Sequence, residues 1–360
     1  MSASTRAWSE AERILCVRLD GLGDVLMSTP AMRALRISGA RPRTVTLLTS
    51  PAAAAAAPLI PELDNVLVYA APWAKSSTPG PVDDDVELID CLRQVRFDAA
   101  VIFTTYSQSP LPAAFACYLA RIPLRLAYCH ENPYHLLSDW VADPEPAERI
   151  RHEARRQLDL VCTVGASTTD ERLSLRIPAA ASAHVRSLLE AAGVDLARPW
   201  VAIHPGATAE SRRYAPERFA AAADRLVDRT GCPVVLAGSR DEVNLVEDVR
   251  RAMHARSISL AGSLDLAGLA ALIAGASVLI ANNSAPAHIA AALGTPVVDL
   301  YALTNPQHTP WRVPNRVLSH DVPCRNCLRS VCPLGHNACL QSIPPIAVAD
   351  AACELLALTG

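Results

Sequence analysis

A carboxylate stands at the expected turn between a strand and a helix near the N-terminus. In the stretch RLDGLGDVLMSTPAMRALR, residues 18–36, Asp24 directly follows Gly23 of a glycine turn. A dinucleotide-binding turn needs a third glycine three residues after the second, and that position holds Leu26. A carboxylate at this helix start also repels a pyrophosphate. Asp24 is therefore either a residue that suits the helix dipole or a carboxylate directed into a ligand cleft.

Residues whose side chains or backbone N–H groups suit phosphate binding follow three predicted strands in the second half of the chain. They are His204, Thr208, Arg212, Glu242, Asn283, Ser284, Ala285 and His288. The backbone N–H groups of Ser284 and Ala285 begin a predicted helix and suit a phosphate. Arg212 can hold a second phosphate oxygen, and Glu242 can accept ribose hydroxyls. Simpler explanations are that Asn283 and Ser284 cap the helix, that His288 is an interior histidine and that Arg212 and Arg213 are a solvated pair. Their position at three strand ends of one sheet favours a nucleotide diphosphate site.

Four cysteines near the C-terminus form a cluster in the stretch CRNCLRSVCPLGHNAC, residues 324–339. Cys324 and Cys327 form a Cys-x-x-Cys pair, which Cys332 and Cys339 follow. Four thiolates in one short loop are typical of a tetrahedral zinc or iron site, which is structural because it leaves no open position. The second pair lacks the Cys-x-x-Cys spacing. Reduced thiols that pack a loop, or a disulfide formed on oxidation, are the alternatives.

The elements that must position these residues are strands and helices in alternation. Apolar strands such as RILCVRL, TVTLLT and DAAVIFT alternate with helical segments, one predicted over about residues 24–38 and another after TVTLLT. The alternation starts again near residue 200 and is typical of doubly wound parallel sheets. The sequence thus predicts an α/β protein with two Rossmann-like lobes facing across a cleft. We expect the lobes at residues 1–178 and 179–340, and a final helix over 341–360 that packs on either lobe.

The overall composition excludes several classes of function. The chain has 360 residues, a net charge of −3 and a single lysine, Lys75, which gives no electrostatic case for binding nucleic acid. No apolar run reaches membrane-spanning length, and the first residues lack the apolar core of a signal peptide. We therefore expect a cytoplasmic protein, for which peripheral contact with the inner membrane stays open. Eleven cysteines fit a reducing compartment.

The sequence resembles glycosyltransferase family 9, the bacterial ADP-heptose heptosyltransferases and their relatives, over nearly its whole length. Residues 18–36, HPGATAESRRYAPERF and NNSAPAHIAAALGTPVVDLY resemble three motifs of that family in the same order. The resemblance implies a GT-B fold, with the acceptor on the N-terminal lobe and the nucleotide sugar on the C-terminal lobe. It also implies an inverting reaction that requires no metal or other cofactor.

The resemblance further implies roles for individual residues. Asp24 matches the catalytic base, and Arg18 and Gly23 belong to the same acceptor-side motif. The donor-side positions are Thr208 and Arg212 for the diphosphate, Ser284 and Ala285 for the phosphate-binding turn, and Leu264 near the adenine. The family often has an aspartate at the position of Asn283 and a glycine at that of Ala285. These departures leave the exact sugar open.

The implied partners are an ADP-sugar donor and a glycan or lipid-linked glycan acceptor. The usual donor of the family is ADP-L-glycero-β-D-manno-heptose, and lipopolysaccharide core is the expected acceptor. The alternatives are a GT-B enzyme that uses a UDP- or GDP-sugar and a nucleotide-sugar-binding protein without catalysis. The presence of Asp24 favours an enzyme over a binding protein. The affinities of the protein for ADP, UDP and GDP would distinguish the possible donors.

Overall fold

The structure, a computed structural model, describes residues 3–74 and 80–358, so Lys75 lies outside the described residues. The chain divides into two compact units, Met1–Ser174 and Leu175–Gly360. Each unit contains a six-stranded sheet in which neighbouring strands are parallel. These sheets confirm the predicted α/β architecture.

The first unit forms one sheet with helices around it. Its elements are α1 (Ala3–Glu10), β1 (Arg13–Arg18), α2 (Leu22–Ile37), β2 (Thr44–Thr49), β3 (Asn65–Val68), α3 (Val82–Val95), β4 (Ala99–Ile102), α4 (Leu111–Leu119), β5 (Leu124–Cys129), β6 (Asp139–Ala142) and α5 (Glu153–Cys162). The strand order is β3-β2-β1-β4-β5-β6. The order reverses between β1 and β4, and ligands of such sheets bind outside the carboxyl ends of the strands at this switch point.

The second unit repeats the same topology. Its elements are α6 (Ala179–Ala191), β7 (Val201–His204), α7 (Pro216–Thr230), β8 (Val234–Leu236), α8 (Val243–Ala252), β9 (Ser257–Ser259), α9 (Leu266–Gly275), β10 (Val278–Asn282), α10 (Ala285–Leu293), β11 (Val297–Leu300), β12 (Asn315–Leu318), α11 (Ala338–Gln341) and α12 (Pro345–Leu356). The strand order is β9-β8-β7-β10-β11-β12, so the switch point lies between β7 and β10.

The central strands are continuous buried runs because both faces of each sheet are covered. Every residue of β4, β7 and β10 is buried. The final helix, α12, packs on the second unit, where Val348 and Leu355 join the core around Phe219 and Leu226 of α7.

One expected helix takes a different form. The segment between β2 and β3 is a 3₁₀ turn, Ala54–Leu59, in place of the predicted helix. Pro58 lies inside this turn and has no N–H for a helical hydrogen bond, which explains the short element. Among the described residues, no helix is both long and apolar enough to cross a membrane.

Candidate active site

The guanidinium of Arg18 is the centre of a polar cluster at the switch point of the first unit. Arg18 ends β1 and is fully buried. Its Nε lies 2.8 Å from Asp20 Oδ2, its Nη2 3.3 Å from Asp24 Oδ1 and its Nη1 2.7 Å from Glu153 Oε1. Burial by itself favours the neutral guanidine, but the three carboxylates outweigh it and raise the pKa of Arg18. Arg18 therefore orients Asp24. Because Arg18 is fully buried, it acts on the acceptor side through Asp24 and not by contact with a ligand.

The carboxylate of Asp24 is fixed by contacts to both oxygens. Oδ1 faces Arg18, and Oδ2 accepts a hydrogen bond from the Gly21 N–H at 3.3 Å. Asp24 and Gly23 both lie in the first turn of α2, where the helix dipole favours a negative charge. The Asp24 side chain keeps 21% of its exposure. A fixed and partly exposed carboxylate can accept a proton from a hydroxyl group that approaches it.

The sequence analysis missed three side chains that complete this cluster. Glu153, the first residue of α5, is fully buried and also accepts a hydrogen bond from Gln157 at 2.7 Å. Asp20 accepts a hydrogen bond from Gln108, which follows β4. Burial raises the pKa of Asp20. Asp20 stands within the motif at residues 18–36, but no local pattern links Glu153 or Gln108 to it.

In the second unit, Asn282 joins the two loops at the switch point. The fully buried carboxamide donates to the Pro205 carbonyl at 2.6 Å and accepts from the Tyr214 N–H at 3.0 Å. The end of β10 is thereby tied to both ends of the loop after β7. This loop carries Thr208, which is exposed, and Arg212, which is partly exposed. The sequence analysis did not single out Asn282.

The N-terminus of α10 presents backbone donors beside this loop. Ser284 is the N-cap residue, and its hydroxyl lies 3.3 Å from the Gly206 carbonyl. Pro286 occupies the second position of the helix and has no N–H. The backbone N–H groups of Ser284 and Ala285 therefore supply the donors for an anion at this end of the helix dipole.

Arg212 lies close to a buried carboxyl group. Its Nε donates to Thr304 Oγ1 at 3.3 Å, and its charge acts on Asp299, a fully buried residue of β11. Burial raises the pKa of Asp299 to about 7, against smaller opposing effects of the Asn283 hydrogen bond and of Arg212. Asp299 is thus only partly ionised at pH 7, and it neutralises less of the Arg212 charge than a fully ionised aspartate would, which favours a phosphate as the partner of Arg212.

Two of the predicted donor-binding residues lie inside the unit. Asn283 is 1% exposed, and its Nδ2 donates to the His308 carbonyl at 2.8 Å and lies 3.4 Å from Asp299 Oδ2. His288 is buried on α10. The structure therefore places both side chains in the interior of the unit.

Glu242 follows β8 and Leu264 follows β9, and these strands lie on the other side of β7 from β10. Glu242 Oε2 accepts from the Ser239 N–H at 2.8 Å and lies 3.6 Å from His204 Nε2. A Cβ at Gly206 would lie 1.8 Å from Glu242 Oε1, so glycine is required for this close approach. Leu264 lines a cavity of about 750 Å³ together with Ser239 and other residues. This cavity has room for a nucleoside.

The segment with the four cysteines, residues 324–339, packs beside the 3₁₀ turn Glu210–Arg212. Ser211 donates to the Arg329 and Ser330 carbonyls, and the Leu328 N–H donates to the Thr304 carbonyl at 2.8 Å. Residues 324–339 therefore contact Ser211, which precedes Arg212, and Thr304, which accepts a hydrogen bond from Arg212.

The predicted metal site is not formed by these cysteines. In the described part of the chain, no group of three or more His, Cys, Asp or Glu side chains is arranged to hold a metal ion. Burial raises the pKa of Cys339, whereas at Cys332 hydrogen bonds from backbone amides, those of Asn337 and Leu334 among them, outweigh burial and lower the pKa. The charges of Cys324, Cys327 and Cys332 also act on Cys339, so the four thiols lie near one another although they are not arranged around a common centre.

Comparison with known proteins shows to which family the chain is similar. A family model described as Glycosyltransferase family 9 (heptosyltransferase) matches residues 86–338. Lipopolysaccharide heptosyltransferase 3 of Escherichia coli is 25% identical over 81% of this chain and 83% of that protein. A glycosyl transferase family 9 structure from Veillonella parvula DSM 2008 has a TM-score of 0.80 at 21% identity, covering 97% of this chain and 98% of that one. The E. coli ADP-heptose lps heptosyltransferase II structure has a TM-score of 0.73 at 22% identity, covering 96% and 99%. These likenesses confirm the predicted fold class, and the chain belongs to glycosyltransferase family 9 and is a heptosyltransferase-like glycosyltransferase.

Proposed function

We propose that this enzyme transfers heptose, or a related sugar, from an ADP-sugar to a hydroxyl group of a glycan, with inversion at the anomeric carbon. The observation that carries the proposal is the Asp24 carboxylate, fixed by Arg18 and by the Gly21 N–H at the switch point of the first sheet. A base in this position acts on a ligand hydroxyl, because ligands of such sheets bind at that edge.

The reaction is a single displacement. Asp24 accepts the proton of the acceptor hydroxyl as that oxygen bonds to the anomeric carbon. The bond from this carbon to the diphosphate oxygen breaks, and the nucleoside diphosphate leaves with the bonding electron pair. Attack from the face opposite the leaving group inverts the configuration.

The charge of the leaving diphosphate is balanced by groups of the second unit. Arg212 supplies a cation, and the N–H groups of Ser284 and Ala285 supply donors at the positive end of the α10 dipole. Thr208 provides an exposed hydroxyl on the same loop. These groups support a reaction that requires no metal ion, because they do the work that a divalent cation does elsewhere.

The nucleotide and its sugar are assigned from the cavity and from the related proteins. The adenosine occupies the cavity beside Leu264. Glu242, which accepts a hydrogen bond from Ser239 of the cavity wall, accepts hydrogen bonds from the ribose hydroxyls. The name of the E. coli structure, an ADP-heptose lps heptosyltransferase, supports ADP-heptose as the donor.

The acceptor and the location are proposed on similar grounds. The E. coli relative is named a lipopolysaccharide heptosyltransferase, which supports lipopolysaccharide core or another glycan, free or lipid-linked, as the acceptor. All eleven cysteines are free thiols, which supports the cytoplasm as the location. A lipid-linked acceptor would bring the enzyme into peripheral contact with the inner membrane.

Calorimetric titration of the protein with ADP, UDP and GDP, without divalent metal, tests the donor side. We expect ADP to bind most tightly and the Arg212→Ala variant to lose about 10- to 100-fold in affinity, the value of a charge-assisted hydrogen bond. Arg213→Ala is the matched control, because the neighbouring Arg213 is exposed and its Nε donates to the Ala207 carbonyl. A preference for UDP or GDP would overturn the donor, and failure to bind any of the three would overturn the function.

A further inference from the structure

The cavity assigned to the adenosine has a carboxylate in its wall. Asp265 lines this cavity of about 750 Å³ directly after Leu264, at the point where α9 begins. Residues that follow β8 and β9 form the adjacent wall, so Asp265 belongs to the same edge of the second sheet as Glu242. A charged side chain in the wall of a ligand cavity is one of the few polar groups that give such a site its specificity.

The carboxylate of Asp265 is fixed by the helix that follows it. Asp265 is the N-cap residue of α9, and its Oδ1 accepts a hydrogen bond from the Gly268 N–H at 2.7 Å. This hydrogen bond restricts the rotation of the carboxylate and directs one of its oxygens at the helix. A carboxylate has about four lone-pair sites, so Asp265 keeps the capacity to accept from a ligand in the cavity.

Gly268 allows this carboxylate and the apolar wall to lie close together. A Cβ at Gly268 would lie 3.2 Å from Asp265 Oδ1 and 3.3 Å from Leu264 Cδ2. Both separations are shorter than an ordinary van der Waals contact, so a larger residue would displace at least one of the two side chains. Asp265 and Leu264 therefore lie next to each other at the start of α9, one polar and one apolar.

The apolar part of the lining suits the flat face of a base. Besides Leu264 it includes Ala180, Ala181 and Ala267. A base that packs on these residues turns its edge, with its amino, carbonyl and ring nitrogen groups, toward the polar part of the wall. Asp265 is placed in that polar part.

A carboxylate distinguishes the exocyclic groups of the bases, because it accepts hydrogen bonds and does not donate them. The 6-amino group of adenine is a donor, whereas the 6-carbonyl oxygen of guanine is an acceptor. An amino group opposite Asp265 thus gains a charge-assisted hydrogen bond. A carbonyl oxygen in the same place would meet a negative charge.

Guanine has a different way to bind a carboxylate, through its N1–H and its 2-amino group, with one donor to each oxygen. That arrangement needs both oxygens to face the base. Because Oδ1 of Asp265 is held by the Gly268 N–H, the structure favours a single hydrogen bond to one amino group. Arg240 also lines the cavity, and its donors suit N7, which both purines share.

We propose that Asp265 is a specificity-determining residue for the donor nucleotide and accepts a hydrogen bond from the 6-amino group of adenine. The inference rests on the proposed function, which places the adenosine in this cavity, and it names the side chain that selects adenine. The same carboxylate caps α9, so the helix orients the group that recognises the base.

Calorimetric titration of the full-length protein with two matched ligands tests the inference. They are ADP and purine riboside 5′-diphosphate, which has hydrogen in place of the 6-amino group. We expect the wild type to bind ADP about 10- to 100-fold more tightly than this analogue, the value of a hydrogen bond to a charged group. In Asp265→Ser this preference should disappear. Equal binding of the two ligands by the wild type, or an unchanged preference in Asp265→Ser, would overturn the inference.

The comparison of two ligands separates recognition of the base from a role in folding. Serine is as good an N-cap residue as aspartate, so Asp265→Ser should keep α9. A purely structural role would weaken the binding of ADP and of the analogue by the same factor. Asp195→Ser is the matched control, because Asp195 is exposed, lies outside the cavity lining and also accepts a backbone N–H, that of Ala197 at 3.0 Å. It should keep the preference of the wild type, and an equal loss in both variants would refute the assignment.

Titration with GDP completes the test and separates the inference from the proposed function. If ADP binds without a preference over the purine analogue, the inference fails and the donor side of the proposed function stands. If GDP binds more tightly than ADP and loses this advantage in Asp265→Ser, Asp265 recognises guanine and the inference is wrong. If none of the three nucleotides binds, the proposed function fails and the inference fails with it.

Discussion

Replacing Asp299 with asparagine should stabilise the protein at neutral and alkaline pH. Asp299 is fully buried in β11, opposite Ala281 of β10. Its Oδ2 lies 3.4 Å from the Asn283 amide, and among the described residues its Oδ1 has no hydrogen-bond partner. The carboxylate therefore loses most of its solvation on folding, and an amide of nearly the same shape does not carry that cost.

The size of the effect follows from the pKa of this group. Burial raises the pKa of Asp299 to about 7, whereas an aspartate in an unfolded chain has a pKa of about 3.9. Between about pH 4 and pH 7, the folded state thus keeps the Asp299 proton whereas the unfolded state releases it. The free energy of unfolding falls by about 1.4 kcal/mol per pH unit through this range. The stabilisation is complete below pH 4 and is lost as the pH passes 7, which amounts to about 4 kcal/mol.

Urea unfolding at pH 5, 6, 7 and 8, followed by tryptophan fluorescence, measures this difference. We expect Asp299→Asn to match the wild type most closely at pH 5 and to exceed its free energy of unfolding by a margin that grows toward pH 8. Asp321→Asn is the control, because it removes a carboxylate that is on the surface. If Asp299→Asn and the wild type keep the same difference at every pH, the buried carboxyl group is not linked to folding and the reasoning is refuted.

Two other substitutions test the cluster around Arg18. Asp24→Asn should lower the rate of transfer about 10²- to 10⁴-fold and leave ADP affinity unchanged, as measured by product formation and calorimetry; retained activity would exclude Asp24 as the base. Arg18→Met should destabilise the protein by about 3–5 kcal/mol in urea, because Glu153 stays buried without its cation. That loss should shrink toward pH 4, since a protonated carboxyl group needs no cation, and a loss independent of pH would contradict the ion-pair explanation.

Local patterns in the sequence were enough to predict much of the fold. The strand expected at TVTLLT is β2, Thr44–Thr49, and the helix that carries Asp24 begins at Leu22. The helix after Ser284 ends before Gly294, which has a φ of +79°. Each of these features depends on apolar periodicity, caps and glycine within one segment. It can therefore be predicted from that segment without knowledge of the rest of the chain.

The sequence by itself therefore determined the two doubly wound sheets, the family and the position of Asp24. Only the tertiary structure decided what surrounds these residues. Glu153 reaches Arg18 across 135 positions of the chain. Asp299 lies behind Asn283, and the cysteine segment packs on Ser211 without forming a metal site. Strand order and helix packing create these contacts between segments far apart in the chain, and no local periodicity encodes which distant side chain meets a buried charge.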